Sequence, residues 1–159
     1  MAVSDADVRA RKAIAADVGS IVELNAALAR ELDGKSLDLA RLRAGVEAVA
    51  GSAEESCGFY VVAEALGAVV GVLHVTYEWS PWRNATFWWL NNVFVQRRRR
   101  RQGAYRAMHR YVEGLARDDD GVCGIRLFTT ADNRAAQRTY GSLGMTSEAS
   151  YVSEIDFVL

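Results

Sequence analysis

The stretch VFVQRRRRRQGAYRAMHRYV, Val93 to Val112, runs from an apolar, strand-like end through five consecutive arginines, Arg97 to Arg101, into a helix-like segment. A strand that turns directly into a helix makes a ready anion site. The first N–H groups of the helix have no internal partners, and the helix dipole adds a partial positive charge. Gly103 lets the backbone come close to a ligand, because no Cβ stands in the way. Outward-pointing arginines can pair with phosphates, whereas the plainer reading of such a run is a solvated basic loop. Three anions come into question: a nucleic acid, a membrane surface, and the phosphates of one small cofactor.

The rest of the chain narrows that choice. A length of 159 residues, half of them hydrophobic and 25% charged, fits one globular domain over residues 1–159 with a substantial core. The net charge of -1 argues against a protein that coats nucleic acid, since the basicity is local. Lys12 and Lys35 are the only lysines, so genome composition can supply part of the arginine excess. Cys57 and Cys123 stand far apart without metal-ligand or disulfide spacing, which points to a reducing compartment and to no metal. The N-terminal MAVSDADVRARK lacks the apolar core of a signal peptide, and no apolar run approaches the roughly 20 residues of a spanning helix. These features lead us to expect a cytoplasmic protein with no nucleic-acid or membrane partner, and leave room for a homodimer.

Periodicity outlines the elements. A short strand is expected over Val8 to Ala13, then a helix with Ile21, Leu24, Leu28 and Leu32 on one stripe, ending near Gly34. Ser36 is placed to cap a second helix carrying Leu39, Leu42, Val46 and Val49 and closing at Gly51. Gly58 to Ala65 and Ala68 to Tyr77 read as a hairpin, followed by a strand from Thr86 to Val95. A helix from Ala104 to Ala116, a strand from Ile125 to Thr129, a helix from Asn133 to Leu143 closed by Gly144, and a final strand from Tyr151 to Val158 complete the order. The expected fold is mixed α/β.

The segment ADNRAAQRTYGSLGM supplies a second motif: Asn133, Ala136, Tyr140 and Gly144 follow N-x-x-A-x-x-x-Y-x-x-x-G. Together with the R-x-x-G turn at Arg100 and Gly103, in this order and on these elements, the chain resembles the GNAT superfamily of acetyl-CoA-dependent N-acetyltransferases. The resemblance is close from about Gly58 onward and topological for the two N-terminal helices. It implies a central mixed, mostly antiparallel sheet flanked by helices, and acetyl transfer from acetyl-CoA to a small-molecule or peptide amine, without a metal. It further implies that the backbone of Val93, Phe94 and Val95 holds the pantetheine arm. The turn from Arg100 through Arg101, Gln102, Gly103 and Ala104 to Tyr105 would cradle the pyrophosphate, Asn133 would contact the cofactor, and the Tyr140 hydroxyl would face the sulfur. Where the family carries glycine or alanine this chain has Tyr105, whose side chain must point away from the phosphates.

Amine acetylation calls for a group that protonates the leaving thiolate and one that takes the amine proton. Tyr140 is the candidate acid, with core packing on the Ala136, Tyr140, Leu143 face as the alternative. Glu78 is the candidate base: it sits among Tyr77, Trp79 and Trp82, where loss of water would raise its pKa, while a solvated loop carboxylate is the competing reading. Water held by Asn91 or Asn92 is a further route, and His74 and His109 read as structural. The four tryptophans, Trp79, Trp82, Trp88 and Trp89, can wall an acceptor pocket or fill the core, and alternation sends Trp88 and Trp89 to opposite faces. Two other functions stay open: a module that senses acyl-CoA without turnover, and a nucleic-acid binder using the arginine run.

Overall fold

The computed structural model describes residues 8–50, 52, 55–150 and 152–157. The chain forms two compact units, Met1–Leu127 and Phe128–Leu159. The first contains β1 (Val8–Lys12), α1 (Val18–Asp33), α2 (Leu39–Ala50), β2 (Phe59–Ala65), β3 (Ala68–Ser80), β4 (Ala85–Val95), α3 (Ala104–Arg117) and β5 (Val122–Leu127). The second contains α4 (Arg134–Ser142).

The strands lie in the sheet in chain order, β1 to β5; the first four are antiparallel, and β5 joins β4 in parallel. This is the mixed, mostly antiparallel sheet expected. Antiparallel neighbours need only a tight turn, whereas the parallel β4 and β5 need a crossover, which α3 provides. At the entrance to β2, Gly58 has φ +91°, and a Cβ there would lie 1.8 Å from the Val75 carbonyl oxygen, so only glycine fits.

Strand alternation divides the core between the two faces of the sheet. Phe59, Val61, Ala63, Leu73, Val75, Trp88 and Leu90 face α3, which presents Ala104, Met108, Val112 and Ala116 at four-residue spacing. Tyr60, Val62, Val72 and Phe94 face the other way, against Ile21, Leu24 and Val46 of the two N-terminal helices. The α1 stripe does not extend to Leu32, which is 69% exposed. Arg11 ties β1 to the start of α1 and to β2, reaching Asp17 at 2.7 Å and Glu64 at 2.9 Å.

Several boundaries differ from the sequence reading. Asp38, not Ser36, opens α2: its Oδ1 accepts from the N–H groups of Ala40 and Arg41. A carboxylate one residue before the helix reaches both orphan donors, which Ser36, three residues ahead of the helix, does not. The expected close at Gly51 lies outside the described residues. β3 continues to Ser80, and β5 begins at Val122 and stops at Leu127. The strand expected from Tyr151 to Val158 is absent over the described residues 152–157, where Val152 and Ile155 are exposed; Tyr151 and Val158 lie outside them.

Candidate active site

β4 changes character halfway along. From Thr86 to Leu90 it pairs with β3 on one edge and β5 on the other, the last β5 pair being Leu90 with Leu127. From Asn91 to Val95 only β3 remains. Asn92, with φ +49°, marks a bulge, and the register shifts opposite Val72 to His74. A bulge adds an unpaired residue and bends the strand, so the second half turns away from β5.

The peptides of this open half alternate in direction. Gln96 N–H donates to Val70 O at 2.9 Å, so Gln96, and Phe94 two residues earlier, face β3. Val93 and Val95 therefore point their N–H and C=O groups to the open side, and the Val95 carbonyl does accept there, from Arg100 Nε at 3.0 Å. The Phe94 ring covers α1 instead. Of the three strand residues expected to present backbone, two are aimed at the opening and Phe94 is aimed at β3.

After β4 comes one tight turn, Arg97–Arg99, and then a backbone that alternates its handedness: Arg101 has φ +63°, Gly103 φ +83°, and Gln102 between them is not positive. Alternation of this kind turns successive N–H groups toward one concavity and makes an anion nest, here continuous with the first turn of α3. Arg100, the residue of the R-x-x-G motif, is committed elsewhere: besides Val95 it binds Glu31 of α1 at 2.7 Å and lies over the Phe94 ring. It fastens the turn to the sheet and to α1. Tyr105 sets its ring 5.9 Å from that of His109, one helical turn on. His109 is buried, its pKa pushed down by that burial, and neither ring nitrogen has a hydrogen-bond partner among the described residues.

Glu78 stands near the other end of β4, paired in register with Phe87. It shares a sheet face with Thr76, Trp89 and Asn91, the face that carries α1 and α2 further along. Trp89 Nε1 donates to its carboxylate, and Arg126 Nη1 contacts both oxygens, at 3.0 and 3.1 Å. The pKa of Glu78 is accordingly lowered, by the Trp89 hydrogen bond first and Arg126 next, the reverse of the expected rise. Trp79 and Trp82 do not enclose it: they are 58% and 93% exposed at the β3–β4 turn. Trp88 belongs to the α3-side core and Trp89 to the opposite face, as alternation predicts. His74 Nε2 donates to the Cys57 carbonyl, 3.0 Å away, and the ring stacks on Tyr60, a structural role. Among the described residues no cluster of His, Cys, Asp or Glu could hold a metal, and no helix is long and apolar enough to cross a membrane.

In the second unit, Asn133 caps α4, its Oδ1 accepting from the Ala136 N–H at 3.2 Å. Tyr140 is half-buried in α4, and burial raises its pKa. Arg126 and Glu31 were not identified from sequence. Their roles depend on which strand lies beside β4 and which helix end meets the turn, and neither is encoded in a local pattern.

The acetyltransferase (GNAT) family model matches residues 27–145. The chain belongs to the GNAT acetyltransferase family. Among solved structures it is similar to a possible acetyltransferase from Clostridium difficile 630, with 33% identity over 96% of this chain and 99% of that one and a TM-score of 0.81. An aminoglycoside acetyltransferase from an uncultured soil metagenomic sample, in complex with sisomicin, shares the fold at 14% identity over 98% and 99% of the two chains, TM-score 0.74. So does a ribosomal-protein-alanine N-acetyltransferase from Brucella melitensis biovar Abortus 2308, at 15% identity over 94% and 99%, TM-score 0.73. No curated protein matches the chain. As a GNAT acetyltransferase the chain is an enzyme of a family that generally uses acetyl-CoA and acts on small-molecule or peptide amines.

Proposed function

We propose that this GNAT chain is an N-acetyltransferase that moves the acetyl group of acetyl-CoA to a primary amine by direct attack on the thioester. The observation that carries this reading is the junction of the open half of β4 with the nest at Arg101 to Gly103. An amide-bearing arm ending in a diphosphate matches both parts, extended backbone beside Val93 and Val95 and N–H donors at the start of α3. Acetyl-CoA, when bound, supplies an activated acetyl group. The remaining work falls to the chain. Val93 and Val95 align the arm, and Arg101, Gln102, Gly103 and Ala104 hold the diphosphate through backbone N–H groups, which asks nothing of the Tyr105 side chain beside His109. Arg100 acts as a positioning residue through Glu31 and Val95. Asn133 shapes the start of α4.

Tyr140 is the proton donor we assign. A tyrosine phenol is protonated at neutral pH, the state an acid requires, and burial in α4 shifts it further that way. Glu78, held as a carboxylate by Trp89 and Arg126, is a weaker base than a desolvated one. Its charge, partly offset by Arg126, draws a cationic amine, whose proton passes to water; Asn91 and Asn92 lie on the neighbouring strand β4.

Calorimetry with CoA and with pantetheine, followed by an acetylation screen over small amines, amino acids and peptide N-termini, tests the reading. CoA should bind more tightly than pantetheine, and at least one amine should be acetylated at a catalytic rate. Equal affinity removes the diphosphate role; CoA binding without turnover on any amine makes the chain a sensor.

A further inference from the structure

The nest uses the later residues of the arginine run and leaves the first ones for something else. Arg97 and Arg98 do not line the nest; with Gln96 they line an open pocket of about 620 Å³ on the α1 side of the sheet. The deeper lining is apolar. Leu24 and Phe94 are buried, and Ala27 and Val69 adjoin them. Around this floor stand Arg30, Arg97 and Arg98 against Glu23 and Glu31. Glu31 is neutralised by Arg100 at 2.7 Å, so the three arginines face one uncompensated carboxylate, Glu23. None of the three forms an ion pair among the described residues.

We propose that this pocket binds a small organic anion with an apolar body: a carboxylate, sulfonate or phosphate ester joined to an alkyl or aromatic group. Guanidinium groups present paired donors that match a carboxylate or phosphate in two-point geometry and are more weakly hydrated than ammonium, so they suit a rim around an apolar floor. The volume falls within the range of small-molecule sites, which combine apolar lining with a few placed polar groups. A nucleic-acid backbone would use the arginines but leave the recess beneath them unfilled. The pocket adjoins the cofactor junction, with Glu31 and Phe94 in contact with Arg100, but does not share its nest: the pocket takes Gln96 to Arg98, whereas the nest takes Arg101 to Gly103.

The probe is 8-anilinonaphthalene-1-sulfonate, an aromatic sulfonate whose fluorescence rises in an apolar site, with octanoate as competitor. We expect one saturable site on the full-length protein, displaced by octanoate but not by inorganic phosphate at matched ionic strength. The double substitution Arg30→Ser with Arg97→Ser should weaken the probe by about tenfold or more, the loss of charge-assisted bonds. The melting temperature should be unchanged, because neither side chain has a partner to lose, and Arg110→Ser, on the exposed face of α3, should bind as wild type. Wild-type affinity in the double variant overturns the proposal, as does equal displacement by phosphate, which would show bare charge attraction. Should the double variant melt lower, Arg98→Ser alone decides by the same criterion.

Discussion

The two halves of β4 are both mostly apolar and opposite in use. Thr86 to Leu90 is closed on both edges, with Trp88 and Leu90 in the core against α3. Asn91 to Val95 keeps β3 but has no β5, and its outer edge offers Val93 and Val95. A sheet is stabilised by satisfying backbone groups, and a ligand that binds as an extra strand needs them unsatisfied. One strand meets both demands by letting its partner stop at Leu127 while a bulge at Asn92 turns the remainder outward.

If the open half only positions a substrate, the chemistry depends on a donor outside β4, and the largest expected effect lies there. Tyr140→Phe should lower turnover by about 10² to 10⁴ while CoA affinity stays the same; wild-type rates from the folded variant would withdraw the assignment. In the closed half the effect should be on stability. Trp88→Ala removes a buried ring packed edge-on to Phe59, 5.3 Å between centroids, and should cost about 3–5 kcal/mol in urea unfolding. A much smaller loss would mean that this half is not the structural one.

Changes near the open half should instead move binding. Arg100→Ala should weaken CoA by roughly tenfold, the scale of one charge-assisted hydrogen bond, and more than Arg97→Ala does. Because Arg100 acts through its anchor, Glu31→Gln should reproduce part of the loss, and calorimetry on the three variants ranks them. Asn92→Val places a β-branched residue at φ +49° and should cost about 1–2 kcal/mol of stability, with CoA affinity falling as the bend relaxes.

The smallest effect is a pH dependence. The pKa of Glu78 is depressed in the fold, so the stability it contributes is complete above the ordinary carboxylate pKa of about 4.3 and disappears as pH falls through the lower folded value. Glu78→Gln should flatten acid unfolding below that pH. It should leave the acidic limb of kcat/KM in place, since Glu78 is ionised wherever an amine titrates; a limb that vanished would restore Glu78 as the base.

The fold was legible wherever a segment answers to one partner face. Met108, Val112 and Ala116 announce α3 by spacing alone, and the β2–β3 hairpin by its Gly67 turn. What stayed hidden concerns relations between distant segments. TFWWLNNVFV reads as one strand, and although Asn91 and Asn92 interrupt its apolar run, nothing local says that β5 ends beside them. Glu78 was surrounded on paper by its sequence neighbours Trp79 and Trp82, yet the contacts that set its charge come from Trp89 across the hairpin and Arg126 across the crossover. Arg100 was recognised by motif, but its attachment to Glu31 joins positions far apart in the chain.

The arginine run has a consequence for how copies of this chain meet. An apolar strand with a free edge is a template for another of its kind, and identical segments stack most readily in parallel and in register, about 4.8 Å apart. Pairing Asn91 to Val95 with the same segment of another copy in that way would bring Arg97 to Arg101 of each beside the same five residues of the other, like charge against like charge. The exposed edge that admits a ligand thus carries its own guard against aggregation, placed where the strand runs out.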